Sequence, residues 1–181
     1  MEESMKREFD NLQAKDKTLQ YEAYNHILEA TTQEVDWAYD VWEELLEGLT
    51  AKDNHQRSRC AQFLSHLAIS DPKKRILNDF EALWDVTKDP KFVTARHSLQ
   101  AIWRVGLAGV EQRKLVISYL VDRFLNCEDE RNHTLIRADI LQGLKHLYDE
   151  VKDEEIRKQA MNLIESLDDP KYIKKYRLIW K

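Results

Sequence analysis

Glycine and proline are both scarce in this chain: four and three among 181 residues, against usual shares of about 7% and 5%. With few breakers and abundant Leu, Ala, Glu and Lys, the composition argues for long helices joined by short connections. Cysteine is nearly absent. Cys60 and Cys127 stand far apart and belong to no C-x-x-C, which excludes a disulfide framework and reads as two reduced thiols in a cytoplasmic protein. The opening MEESMKREFD has no apolar h-region, so a secretory signal is not expected. No stretch approaches the ~18 apolar residues of a membrane span. No H-E-x-x-H, Walker loop, G-x-G-x-x-G or G-x-S-x-G occurs. The expectation is a non-enzymatic, soluble protein with no cofactor and no metal. A net charge of −5, from 33 acidic and 28 basic residues, supplies no bulk attraction for nucleic acid or anionic lipid.

All three prolines lie in one word, Asp-Pro-Lys, at 71–73, 89–91 and 169–171. Aspartate is a preferred N-cap, and proline fits the first helical position while pushing the preceding residue out of the α region. The word therefore reads as a helix start. Thr31 with Glu34 forms a second kind of start, a capping box, and Asp53 with Gln56 resembles one. Gly106 and Gly109 read as a stop followed by a start, with glycine in the left-handed C′ position. These signals, with apolar residues at i, i+3, i+4 and i+7, predict helices near 2–14, 16–30, 33–49, 54–69, 72–87, 91–106, 110–126, 131–149, 153–167 and 170–179.

Alternate helices repeat. Lys17, Arg57, Arg96 and Arg137 recur at intervals of 39 to 41 residues, followed in register by Gln20, Cys60, Leu99 and Ile140, and then by Tyr24, Leu64, Trp103 and Leu144. The intervening helices keep the same period: Trp37, Ile76, Val116 and Ile156 align, as do Val41, Phe80, Leu120 and Ala160, and Leu45, Trp84, Phe124 and Ile164. Two independent rows with one period make the chain a series of two-helix units. The pattern Asp53…Arg57-x-x-Cys60-x-x-x-Leu64-x-x-Leu67, with its counterparts at Asp89…Arg96, Asp129…Arg137 and Asp153…Arg157, resembles the HEAT repeat over about residues 16–167. The resemblance implies an all-α fold, a right-handed α-α superhelix of about four repeats in one domain, 1–181. Residues 1–15 would then cap the amino end and 168–181 the carboxyl end. It also implies that Arg57, Arg96 and Arg137 are structural, each paired with a turn aspartate.

In such a stack the second helix of each unit lines the concave face. After the ladder arginines are set aside, those helices carry Arg59, Lys91, Arg104, Arg131 and Lys145 against one acid, Asp139. The outer helix 36–49 instead carries Asp36, Asp40, Glu43, Glu44 and Glu47 and no base. The expected function is a scaffold holding an acidic peptide or protein segment on the concave face through those five cations. The alternative is a nucleic-acid-binding HEAT-like protein related to alkylpurine DNA glycosylases, for which Trp84-Asp85 is the only local signature. His26, His66 and His146 share one repeat position but cannot converge on one ion across interhelical distances of about 10 Å. Trp37, Trp42, Trp84, Trp103 and Trp180 read as core or inter-repeat packing, with Trp42 and Trp180, less well placed in the rows, open to the alternative of exposed anchors.

Overall fold

The computed structural model describes all 181 residues and contains helices without strands. The α-helices are α1 (Glu3–Asn11), α2 (Lys17–Ala30), α3 (Ala38–Gly48), α4 (Asn54–Leu67), α5 (Ile76–Val86), α6 (Phe92–Ala101), α7 (Val110–Asn126), α8 (His133–Val151), α9 (Glu154–Glu165) and α10 (Pro170–Arg177). Short 3-10 turns extend α4, α6 and α10. Each of the ten predicted helices has its counterpart. No helix is long and apolar enough to cross a membrane.

Aspartate opens helices where expected, with informative exceptions. Asp16, Asp53, Asp153 and Asp169 each cap a helix by accepting backbone N–H groups of the first turn. Asp169 is followed by Pro170 as the first helical residue, and Asp89 accepts the Lys91 N–H at 2.8 Å just before α6. Asp71 departs from this pattern. Its helix begins only at Ile76, whose N–H reaches the buried Asp71 carboxylate at 2.8 Å. The extra turn is taken up by Lys74 in the left-handed region, φ 54°. Tyr39 holds that turn closed, donating to Asp71 and accepting the Lys73 N–H.

Two expectations are overturned. Thr31 does not open α3; its hydroxyl donates back to the Ile27 carbonyl at 2.8 Å and closes α2, so α3 starts only at Ala38. Gly106 is no left-handed stop, and no glycine lies in the left-handed region. It lies inside the 3-10 turn Ile102–Leu107, where a Cβ would stand 2.9 Å from Leu147 and 3.2 Å from Val116. Its small size is required by packing. The left-handed cap appears instead at Lys152, after α8.

Contacts group into two compact units, Met1–Ser98 and Leu99–Lys181, with the boundary inside α6. In the first, α1 packs on α2, α2 on α4, and α3 on α4 and α5. Its core is Ile27, Trp42, Phe63, Leu64, Leu67, Ile76, Phe80 and Leu83. In the second, the 102–107 turn packs on α7 and α8, while α9 packs on α8 and α10. Its core includes Val116, Leu120, Phe124, Ile140, Leu144, Leu147, Ile164 and Tyr176. All twelve residues of the three outer-helix rows are buried. Trp42 belongs to the core: it is fully buried and its indole N–H donates to Asp79 at 2.9 Å, which rules out the alternative of an exposed anchor. Trp180 is half-buried against Tyr148.

Leu64 and Leu144 are both wholly inaccessible, so truncation leaves a cavity that the neighbouring helices cannot fill. Leu64→Ala and Leu144→Ala are each expected to cost about 2–5 kcal/mol in denaturant unfolding. Asp89 gives a pH prediction. Burial alone would raise its carboxyl, but the Arg57 guanidinium and the Lys91 N–H outweigh that and hold it below its ordinary value. A lowered folded value means its stabilising effect is complete above about pH 4 and is lost as the pH falls through the folded value. Asp89→Asn is expected to lower the Tm at neutral pH and to flatten the acid limb of Tm against pH. An unchanged acid limb would contradict this assignment.

Candidate functional site

The five cations expected on one face do not share one environment. Lys145 is not free: its ammonium binds both oxygens of Asp149, at 2.6 and 2.7 Å, one turn along α8. This corrects its reading as uncompensated. Arg131 is exposed in the turn before α8 rather than within the helix. Lys91 is exposed just ahead of α6. Arg104 is half-buried over the Trp103 ring, 5.4 Å from its centroid, and its Nε is buried with no hydrogen-bond partner. Asp139, counted as the one opposing acid, is buried and accepts from the Gln100 amide at 3.0 Å. Arg59 lines a cleft.

The three presumed ladder arginines also diverge. Arg57 grips Asp89 with two parallel hydrogen bonds, 2.6 and 3.0 Å, and donates further to the carbonyls of Ala51 and Lys52. Arg137 instead donates to the Phe124 carbonyl at 3.0 Å and lies over the Phe124 ring. Asp169, at the separation from Arg137 that Asp89 has from Arg57, lines the same pocket as Arg137, with no ion pair between them. Arg96 is half-buried on α6.

The cleft of about 280 Å³ containing Arg59 lies on the first unit, lined by residues of α2 and α4 and by His97 of α6. Asn54 on α4 and Thr94 on α6 bond one another reciprocally at 3.2 Å, which places α6 alongside α4. Tyr24 on α2 donates to the Gln62 carbonyl oxygen at 2.6 Å, which does the same for α2. The Gln62 amide nitrogen donates to both the carbonyl and the hydroxyl of Ser58, at 3.1 and 3.2 Å. Ser58 in turn meets Nδ1 of His97 at 3.4 Å. Lys17, Tyr21, His55 and Arg59 complete the polar wall with Gln20, and no carboxylate lines it. The capping carboxylates Asp16 and Asp53 are engaged by backbone N–H groups of α2 and α4. Arg59 has no ion pair within the chain.

Comparison with known proteins assigns no family: no family model matches the chain, and no curated protein matches it. The reading of the site therefore rests on its own geometry. Chemically, the cleft can accept an anion. It presents a guanidinium, an ammonium, two imidazoles and an exposed tyrosine. No group of His, Cys, Asp and Glu side chains is placed to hold a metal ion. The three repeat-equivalent histidines are engaged separately: His26 with Glu8, His66 with the Thr31 hydroxyl, and His146 against the Trp103 ring. Cys60 is buried with its thiol pushed up to about 11 by desolvation, which removes the thiolate that nucleophilic chemistry needs. Trp84 is buried and stacked on Phe80, so the Trp84-Asp85 pair presents no open aromatic face.

Of the cleft residues, Arg59 alone was selected from sequence as a binding residue. Lys17, Gln20 and Tyr24 stood in the repeat rows without that role, and Tyr21, His55, Ser58, Gln62 and His97 were missed. The usable signal was the period itself. Tyr24 and Gln62 are 38 residues apart and Ser58 and His97 are 39 apart, so polar residues one period apart on neighbouring helices come into contact.

Arg104 supplies a stability prediction. Burial lowers the affinity of its guanidinium for the proton, and Glu150 offsets that only in part. The folded state thus disfavours this charge. Arg104→Met keeps the aliphatic stem on Trp103 and removes an unsatisfied donor, so the Tm is expected to hold or rise. A clear fall in Tm would contradict this reading.

Proposed function

We propose that this chain is a non-catalytic interaction scaffold, built as a HEAT-like right-handed stack, that holds an acidic peptide or protein segment on its inner helices. The observation that carries the reading is the cleft among α2, α4 and α6, with Arg59 and Lys17 in its wall and no carboxylate there. Its walls are second helices of successive repeats in the 40-residue register, the layer that faces inward in such stacks. The stack reading is supported by lateral hydrogen bonds at near-period separations within each unit. Tyr24–Gln62, Ser58–His97 and Asn54–Thr94 lie in the first, and Gln100–Asp139 lies in the second. Repeat stacks bury their apolar rows only against neighbours and leave polar inner surfaces for partners. Two buried thiols with no disulfide suit a cytoplasmic setting.

Arg59 is the better bidentate donor for a carboxylate, because its planar fork matches two oxygens at once. The test is fluorescence anisotropy of a labelled Glu-rich peptide at low and moderate salt, with a Gln-rich peptide and a single-stranded oligonucleotide as comparisons. The Glu-rich peptide is expected to bind best, and more weakly as salt rises. Arg59→Glu is expected to weaken it by roughly ten- to hundredfold, the value of one charge-assisted hydrogen-bonded contact and its reversal. Arg131→Glu, on an exposed turn, is expected to change it little. Equal binding of the Gln-rich peptide, or tighter binding of the oligonucleotide, would overturn the reading.

A further inference from the structure

We infer that the cleft among α2, α4 and α6 takes the phosphoryl group of a phosphorylated side chain. The inference rests on the acidic-segment reading above and narrows its ligand from carboxylates in general to a phosphomonoester. It follows from the direction of the hydrogen bonds in the wall. Ser58 O is a carbonyl and can only accept, so Gln62 must face it with the amide nitrogen. Gln62 Oε1 is then turned to Tyr24, whose hydroxyl must donate. Ser58 Oγ accepts from the Gln62 amide as well and lies 3.4 Å from His97 Nδ1, and we assign the hydroxyl proton to that contact. His97 therefore carries its proton on Nε2. Both ends of the Gln62 amide are thus engaged within the wall, and the charged groups beside it, Arg59 and Lys17, are donors.

Those donors outnumber what a carboxylate can use. The wall holds the Arg59 fork, the Lys17 ammonium, the rings of His55 and His97 and the hydroxyl of Tyr21. A carboxylate offers two oxygens and one charge, whereas a phosphomonoester offers three strong acceptor oxygens and a charge of about −1.5 to −2 near neutrality. Arg59 and Lys17 supply two fixed positive charges with no carboxylate between them, which matches the dianion. A phosphodiester backbone presents one charge per unit along an extended track. The net charge of −5 opposes a long polyanion, while a compact cleft of about 280 Å³ suits one phosphoryl group.

The experiment is isothermal titration calorimetry of the full chain with three blocked pentapeptides, Gly-Ser-X-Ser-Gly, where X is phosphoserine, glutamate or serine. Phosphoserine is expected to bind about tenfold or more tighter than glutamate, the effect of one additional charge-assisted hydrogen bond. Arg59→Gln is expected to cost roughly ten- to hundredfold on the same scale. Arg59 has no ion pair to lose within the chain, and circular dichroism checks its fold. Lys17→Gln, on an exposed side chain, gives the same test should Arg59→Gln misfold. Two-bond 1H–15N NMR of the free protein is expected to show the His97 proton on Nε2, and Ser58→Ala to shift that tautomer balance. Equal affinity for phosphoserine and glutamate, both lost in Arg59→Gln, would overturn the phosphoryl inference and leave the acidic-segment reading standing. No binding of either, or binding indifferent to Arg59→Gln and Lys17→Gln, would overturn both. A His97 protonated on Nδ1 would overturn this assignment of donors and acceptors and with it the preference for phosphate.

Discussion

The grip of Arg57 on Asp89 is the interaction on which the candidate site depends. One guanidinium closes a bidentate pair with the aspartate that opens α6, and reaches back to the carbonyls of Ala51 and Lys52 ahead of α4. The starts of two neighbouring helices are thereby tied through one planar group. A lysine could not do this, since a point charge has no fork to satisfy two oxygens and two carbonyls in fixed directions. With the rotation of α4 set in this way, Arg57 is turned inward, and Arg59, two residues further, is turned into the cleft. The two arginines, alike in sequence, thus stand in different surroundings.

The same economy of polar contacts runs through the first unit. Asp71 ties the turn after α4 to Tyr39 on α3 and to the start of α5. Trp42 reaches Asp79 across the same pair of helices. Neither contact adds much to hydrophobic burial, but each removes a slip of one helix along another, because the partner is found at one register only. The second unit uses a different arrangement: Tyr176 crosses to the Thr134 carbonyl, and Arg137 turns onto the Phe124 ring rather than closing on an aspartate. Arg57 and Arg137, in register in the sequence, are thus engaged by different chemistry in the two units.

The five cations show how little charge counting says about surface chemistry. Lys145 is neutralised by Asp149 one helical turn away, and the opposing Asp139 is buried on an amide. Arg104 keeps its charge but sits half-buried on an aromatic ring. The proposed anion site is defined by the absence of carboxylates around Arg59 and by a Gln62 amide engaged by Tyr24 and Ser58. An open guanidinium on a preorganised wall is a stronger recognition element than several solvated lysines, because its partners need not reorganise to receive a ligand.

Helix number, most helix starts and the buried rows were legible in the sequence, because the physics that sets them is local. A capping aspartate acts on N–H groups within three residues, and an apolar stripe repeats every 3.6 residues. The failures had two kinds of cause: Thr31 bonded backward instead of forward, a local matter, whereas Gly106 is kept small by Leu147 and Val116 on other helices rather than by its own backbone. Only the tertiary structure decided which polar residues meet. Each residue advances a helix by about 100°, so a small rotation of α2 or α6 would carry Tyr24 away from Gln62, or His97 away from Ser58. That rotation is set by contacts some 32 to 40 residues distant, Arg57 with Asp89 and Asn54 with Thr94. The cleft exists because those distant contacts hold, and no window of sequence as short as one helix contains them.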